Sequence, residues 1–190
     1  LTLIACDLFD GNVSYAVKPA LGIEIFHNFT LLHDDIMDKA PLRRNQPTVH
    51  KKWNADIAIL SGDTMFVQSF QFVMQSPAEH LKQVMEVFTK TAIEVCEGQQ
   101  MDMDFESQTN VSIPQYIKMI GLKTSVLLAG SMKIGAIIGG AREEDAHHIY
   151  EFGKNLGIAF QLQDDILDVF GSSQKVGKQT GGDIVSNKKT

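Results

Sequence analysis

Apolar residues recur at three- and four-residue spacing through most of the chain, and runs that alternate apolar with polar residues are scarce. Side chains three and four apart share one face of a helix, so this period predicts helices and not strands. The pattern predicts helices over residues 16–38, 55–75, 79–104, 113–139 and 143–170. Pro19 is expected near the first turn of the first helix, where its missing N–H is tolerated. Ser112-Ile113-Pro114 reads as an N-cap and first turn, because Ser caps well and Pro fits there. A polar break, Lys39 to Asn54, carries Pro41, Pro47 and the pair Arg43-Arg44. From Gly171 to Lys189 the chain holds four glycines and three serines with little apolar content, which predicts a loop. Five long helices that must bury apolar faces against one another predict an all-α bundle.

Composition narrows the class. At 190 residues the chain is long enough for one sizeable core, and a single domain over 1–190 is expected. Apolar residues at 44% and charged residues at 21% fit a soluble globular protein. A net charge of −6 argues against a nucleic-acid partner, since phosphate backbones demand a basic face. No run approaches the ~20 apolar residues that cross a bilayer, and no basic segment leads into an apolar one at the start. No membrane span and a cytoplasmic location are therefore expected. Cys6 and Cys96 lie far apart in apolar surroundings without a CxxC pattern, and predict two buried free thiols. The chain opens without Met inside an apolar run and stops at Asn187-Lys188-Lys189-Thr190, so both ends read as cut from something longer.

One internal echo carries chemistry. Leu32-His33-Asp34-Asp35-Ile36-Met37-Asp38 and Leu162-Gln163-Asp164-Asp165-Ile166-Leu167-Asp168 share five of seven residues, each closing an apolar helix. At about 100° per residue, the three aspartates of DDxxD fall at roughly 0°, 100° and 40°, one acidic wedge on one face. Gln161 falls at about 60°, inside the second wedge, and His27 within about 20° of Asp34. Three carboxylates this close repel and raise one another's pKa unless a cation joins them. Hard oxygen donors select Mg²⁺, Mn²⁺ or Ca²⁺ over Zn²⁺. Two such wedges across a cavity would hold a diphosphate through bridging metals. Arg43, Arg44, Lys123 and Lys178 supply the complementary charge, arginine as a fork and lysine as a point. Lys123-Thr124 reads as the opening of a helix.

The stretches LLHDDIMDKAPLRRNQPTVH, GQQMD, GLKTS and FQLQDDILDVFG followed by GKQTGGD resemble, in order, the motifs of the trans-polyprenyl diphosphate synthase family, across roughly residues 20 to 188. The resemblance implies an isoprenoid synthase-type helical bundle around a central cavity. It implies a Mg²⁺-dependent prenyltransferase that elongates an allylic diphosphate with isopentenyl diphosphate. Asp34, Asp35, Asp38, Asp102, Asp164 and Asp168 would be metal carboxylates, with Asp165 supporting them. Gln99 and Asp102 would line the site near the first wedge, Asp102 close to the metals. Arg43, Lys123 and Lys178 would grip the allylic diphosphate, while Arg44 and His27 would face isopentenyl diphosphate. Thr124 and Gln161 would steady positive charge on the reacting carbon, and the glycine-rich segment at 171–182 would act as a lid. Phe29, with Thr30 and Phe26, would set product length, and a bulky Phe29 implies a short product, farnesyl or geranylgeranyl diphosphate. A homodimer is also implied. The family's Gly-Gly-Lys-x-x-Arg segment is expected just before Leu1.

Three other readings compete. A terpene cyclase shares the helices and first motif, but its second metal site typically carries an Asn/Asp…Ser/Thr…Glu pattern where this chain has a second DDxxD. An HD-type phosphohydrolase is suggested by His33-Asp34, yet His80, His147 and His148 have no placement for it. A non-catalytic subunit would be expected to erode its aspartates or basic residues, and both sets are intact.

Overall fold

A computed structural model describes residues 1–170; Lys178 and the glycine-rich lid segment lie outside the described residues. The helices are α1 (Thr2–Leu8), α2 (Val13–Met37), α3 (Val49–Lys52), α4 (Ala55–Val73), α5 (Leu81–Ser107), α6 (Ile113–Ile120), α7 (Val126–Ile138) and α8 (Glu143–Phe170). A π-helical turn, Gly121–Ser125, joins α6 to α7, and a two-stranded hairpin, β1 (Leu42–Arg43) with β2 (Gln46–Pro47), precedes α3. The all-α expectation holds, and all five long helices are present. Helix α2 packs along α4, α7 packs on α8, and α5 lies against both α7 and the π turn.

Local chemistry sets the ends. Asn12 caps α2 by accepting from Ser14 N at 3.0 Å, and Asn54 caps α4 by accepting from Ile57 N at 2.8 Å. Ser112 and Gln115 form a reciprocal capping box at α6, as the Ser-Ile-Pro signal predicts. Helix α2 starts earlier than the sequence pattern indicates, so Pro19 sits inside it and not in its first turn. Tyr15 C=O thereby loses its usual i+4 donor. Pro19 is nevertheless fully buried, and its packing offsets that loss.

The polar break contains more order than its composition suggests. Helix α2 ends in a Schellman motif, with Ala40 N donating to Asp35 O at 3.0 Å and Lys39 N to Ile36 O at 3.2 Å. Lys39 occupies the left-handed position with φ of 53°. Arg44 and Asn45 have φ of 51° and 60°, the conformation of a two-residue type I′ hairpin turn. Buried Thr48 closes the hairpin base, its hydroxyl donating to Ala40 O at 2.7 Å.

The main core centres on Phe26, Phe88, Val73, Val84 and Ile134, each nearly inaccessible. A smaller cluster of Phe105, Met119 and Ile120 fills the space beneath α6. Cys6 is buried as expected, but Cys96 is exposed, because it falls on the outer face of α5. Contrary to expectation, one helical stretch, Ile113–Ile138, is long and apolar enough to cross a membrane; 67% of its apolar window is buried inside the fold, as in a core helix.

Candidate active site

The first acidic wedge sits at the C-terminal end of α2, where the helix dipole adds to the repulsion among carboxylates. The chain's own cations answer it. Arg43, brought back over the helix end by the hairpin, donates Nε to Asp35 Oδ1 and Oδ2 at 2.8 and 2.9 Å. Its Nη2 reaches Asp34 Oδ2 at 3.2 Å. Burial opposes the Arg43 charge, but the hydrogen bond to Asp35 and the fields of Asp35, Asp34 and Asp38 raise its pKa above the ordinary value. Lys123 Nζ lies 2.6 Å from Asp102 Oδ2 and 3.1 Å from Asp34 Oδ1, tying α2 to α5. Asp34 is thus held between two cations, and Asp102 is buried beneath Lys123.

The second wedge, on α8, is held differently. Asp165 is 9% exposed. It accepts from Gln161 Nε2 at 2.8 Å and from the Tyr116 hydroxyl. Gln161 Oε1 accepts from Thr124 Oγ1 at 2.8 Å. Lys123 and Thr124 are neighbours on the π turn, so one turn anchors both aspartate motifs. These two residues do not open a helix, as the sequence reading has it; they bulge from the middle of one. A π turn inserts one residue into the helical ladder and redirects the side chains around it.

Two glycines allow that bulge to close. A Cβ on Gly98 would lie 2.2 Å from Lys123 N, and one on Gly157 would lie 2.5 Å from Ser125 Cα. Helices α5 and α8 therefore approach the turn backbone directly.

In both motifs the middle aspartate, Asp35 or Asp165, is buried and bonded to protein, while Asp34, Asp38, Asp164 and Asp168 are partly exposed. Among the described residues, no group of three or more His, Cys, Asp or Glu side chains forms a metal cage. The geometry explains this, because Asp34 and Asp35 are drawn to Arg43 and Lys123. Mg²⁺ takes only one or two carboxylates and fills its shell with water and phosphate oxygens. The partly exposed, all-oxygen donors fit that habit.

His27 lies up the helix from Asp34. Burial pushes its pKa down, Glu24 opposes the shift, and Arg44 and Arg43 add to it. Arg43 and Arg44 line an open cleft of about 240 Å³ with Asn28, Leu32, Thr48 and Met65. A cavity of about 350 Å³ around Ser14, Lys18 and Gln75 lies at the other end of α2, away from every carboxylate discussed, and plays no part in this site. Gln99 Nε2 approaches Met37 Sδ at 3.6 Å, at the rim of the first wedge.

Beneath the first wedge lies an aromatic ladder. Phe29 packs at a tilt against Phe66 at 5.0 Å and Phe26 at 5.6 Å, and Phe26 meets Phe88 at 5.5 Å. Phe70 closes the ladder against Phe88 at 5.0 Å. Thr30 turns its hydroxyl to His27 O at 2.8 Å. His33 packs edge-on to Phe29 at 4.7 Å and bonds Ile59 O at 3.2 Å. It is a joint between α2 and α4 and no phosphohydrolase ligand. Sequence reasoning missed Tyr116, Phe66, Phe70 and Phe88, because each reads as an ordinary apolar position on its own helix.

A family model described as polyprenyl synthetase matches residues 1–190. The chain belongs to the polyprenyl synthetase family. Geranylgeranyl diphosphate synthase of Methanosarcina mazei is 42% identical over 191 residues, taking in 99% of this chain and 59% of that protein. A crystal structure of a geranylgeranyl pyrophosphate synthase superposes with a TM-score of 0.95 at 49% identity, over 100% of this chain and 58% of that one. A geranyltransferase from Helicobacter pylori, solved with magnesium and isoprenyl diphosphate, superposes with a TM-score of 0.87 at 28% identity, over 100% of this chain and 66% of that one. The polyprenyl synthetase chain thus spans about three fifths of the length of the curated relative it matches. Its bundle is that of the isoprenoid synthases.

Proposed function

We propose that this polyprenyl synthetase chain carries the core of a trans-prenyltransferase that joins isopentenyl diphosphate to an allylic diphosphate and releases diphosphate. The observation that carries the reading is the π turn, whose neighbouring residues Lys123 and Thr124 gather both aspartate motifs into one site. Asp34, Asp38, Asp164 and Asp168 would hold Mg²⁺, with Asp35 and Asp102 steadied behind them by Arg43 and Lys123. When bound, Mg²⁺ would draw off the negative charge that develops on the leaving diphosphate.

The chain's residues divide the remaining work. Arg43, Lys123 and Lys178 would grip the allylic diphosphate, and Gln99 would line the rim. Arg44 and His27 would orient isopentenyl diphosphate in the cleft between hairpin and α2. The allylic C–O bond would ionise, the isopentenyl double bond would attack the cation, and proton loss to the departing diphosphate would restore an allylic product. Thr124 and Gln161 would face the cation with oxygen lone pairs. The apolar wall would exclude water that would quench it.

Product length would be set by the Phe29–Phe66–Phe26 cluster, which would limit the space below Asp34 and favour a farnesyl or geranylgeranyl product. A homodimer is part of the reading. Leu60 and Val67 on α4 and Met74 at its C-cap recur every seven residues and are 66%, 62% and 57% exposed, a stripe suited to a second copy. The test is a product assay on full-length protein with Mg²⁺, labelled isopentenyl diphosphate and each allylic starter in turn. A discrete short prenyl alcohol after dephosphorylation is expected, lost with EDTA or in Asp34→Ala, and lengthened in Phe29→Ala. Cyclic hydrocarbons, or no elongation by folded protein, would sink the reading.

A further inference from the structure

Tyr116 has no part in the division of work above, yet it belongs to a continuous relay across three elements. Its hydroxyl, on α6, donates to Asp165 Oδ2 on α8. Asp165 Oδ1 accepts from Gln161 Nε2, and Gln161 Oε1 accepts from the Thr124 hydroxyl on the π turn, each at 2.8 Å.

The direction of every bond follows from one group. A carboxylate can only accept, so Tyr116 O–H and Gln161 N–H must both point at Asp165. With its amide nitrogen committed there, Gln161 turns its carbonyl oxygen to Thr124. The Thr124 proton is then committed to Gln161, and what its oxygen offers to anything against the π turn is lone pairs. If the relay ran the other way, Gln161 N–H would donate to Thr124 and the Thr124 proton would be free to face the site. A hydroxyl hydrogen facing a carbocation is repulsive, whereas a lone pair is attractive.

We propose that Tyr116 is a positioning residue: it holds the Asp165 carboxylate, whose accepting oxygens set the polarity of the relay, within reach of the Gln161 amide, so that Thr124 presents lone pairs to the cationic carbon. The inference rests on the prenyl-transfer reading and adds to it a residue that touches neither substrate. The position of Tyr116 supports a fixed relay. It packs against the apolar cluster of Phe105, Met119 and Ile120, so its ring is held while its hydroxyl reaches out to the carboxylate.

A purely mechanical role, pinning α6 to α8, makes a different prediction, so the test is a double-mutant cycle in full-length protein. Tyr116→Phe, Thr124→Val and the double variant are assayed for kcat and for both KM values. Tyr116→Phe is expected to lower kcat about tenfold with both KM values held, and the double variant to be no slower than Thr124→Val alone. Additive losses in kcat, or a lowered Tm with kcat unchanged, would overturn the proposal. If Tyr116→Phe fails to fold, Asp165→Asn keeps the volume and frees the relay to reverse. It must then show the same kcat loss and the same non-additivity with Thr124→Val, or the proposal falls. Absence of any prenyl product from the wild type would instead remove the underlying reading.

Discussion

The two aspartate motifs are nearly the same peptide, yet the fold treats them differently. The middle aspartate of the first, Asp35, is gripped by the Arg43 guanidinium; that of the second, Asp165, by a phenol and an amide. The flanks show why. Three residues before the first Asp stand Leu31 in one copy and Gln161 in the other; seven before stand His27 and Gly157. In the second copy Gln161 builds the neutral relay, and Gly157 admits the π turn against α8. In the first copy the corresponding helix face is left to a histidine, and cations arrive from the hairpin and from Lys123. A repeated motif therefore fixes where carboxylates point, while its neighbours decide which groups neutralise them. Among the described residues, the middle aspartate of one motif is balanced by charge and that of the other by oriented dipoles.

The largest effect should come from the turn that both halves share. Gly98→Ala drives a Cβ to within 2.2 Å of Lys123 N, a backbone atom that cannot swing aside. Overpacking of this kind costs about 1–3 kcal/mol and here displaces the anchor of both motifs. The gain of Ala over Gly in helix propensity, about 1 kcal/mol, offsets only part of it. Urea denaturation should show a lower midpoint, and prenyl transfer should fall with it. A stabilised Gly98→Ala protein with full activity would show that the turn does not need the close approach.

A sharper comparison neutralises the middle aspartates one at a time. Asp35→Asn strips a charged partner from Arg43, whose side chain is 29% exposed and so can recover only part of its hydration. The expected cost is about 2 kcal/mol, less than for a fully buried broken pair. Asp165→Asn leaves neutral partners that can rearrange, and should cost nearer 1 kcal/mol. Equal losses in the two variants, measured by denaturation at one pH, would erase the distinction between the charged grip on Asp35 and the neutral grip on Asp165.

Much of this was readable in the residues, and what was not has identifiable causes. The five long helices follow from spacing alone, and the acidic wedges follow from spacing plus helical geometry. The hairpin escaped notice because its turn uses Arg44 and Asn45 in left-handed conformation without the glycine that usually marks such a turn. The π turn escaped because inserting one residue changes the hydrogen-bond ladder without breaking the apolar run from Ile113 to Ile138. Its traces are Gly98 and Gly157, which mean little until the helices that meet there are known. Tyr116 sits on an amphipathic helix where a tyrosine reads as core. The family resemblance makes Arg43 a phosphate ligand, yet here it also neutralises the first wedge, a role that spacing alone does not show.

The smallest expected effect lies in the flank that separates the copies most plainly, His27 against Gly157. Burial, together with Arg44 and Arg43, holds the His27 pKa below its ordinary value despite Glu24. The folded state therefore resists protonation of His27 more than the unfolded chain does. Its contribution to stability is present above the unfolded value, about 6.5, and is lost as pH falls through the lower folded value. Thermal melts taken from pH 7.5 down to 5.5 should show a decline that His27→Asn removes in part. Because the fields of Arg43 and Arg44 reach the imidazole, pyrophosphate bound by these arginines would favour the imidazolium and raise its pKa. An NMR titration of the His27 ring should find it below the ordinary range in free protein and moved upward with pyrophosphate. A ring that titrates at or above the ordinary value in free protein would mean that burial and the two arginines together do not outweigh Glu24.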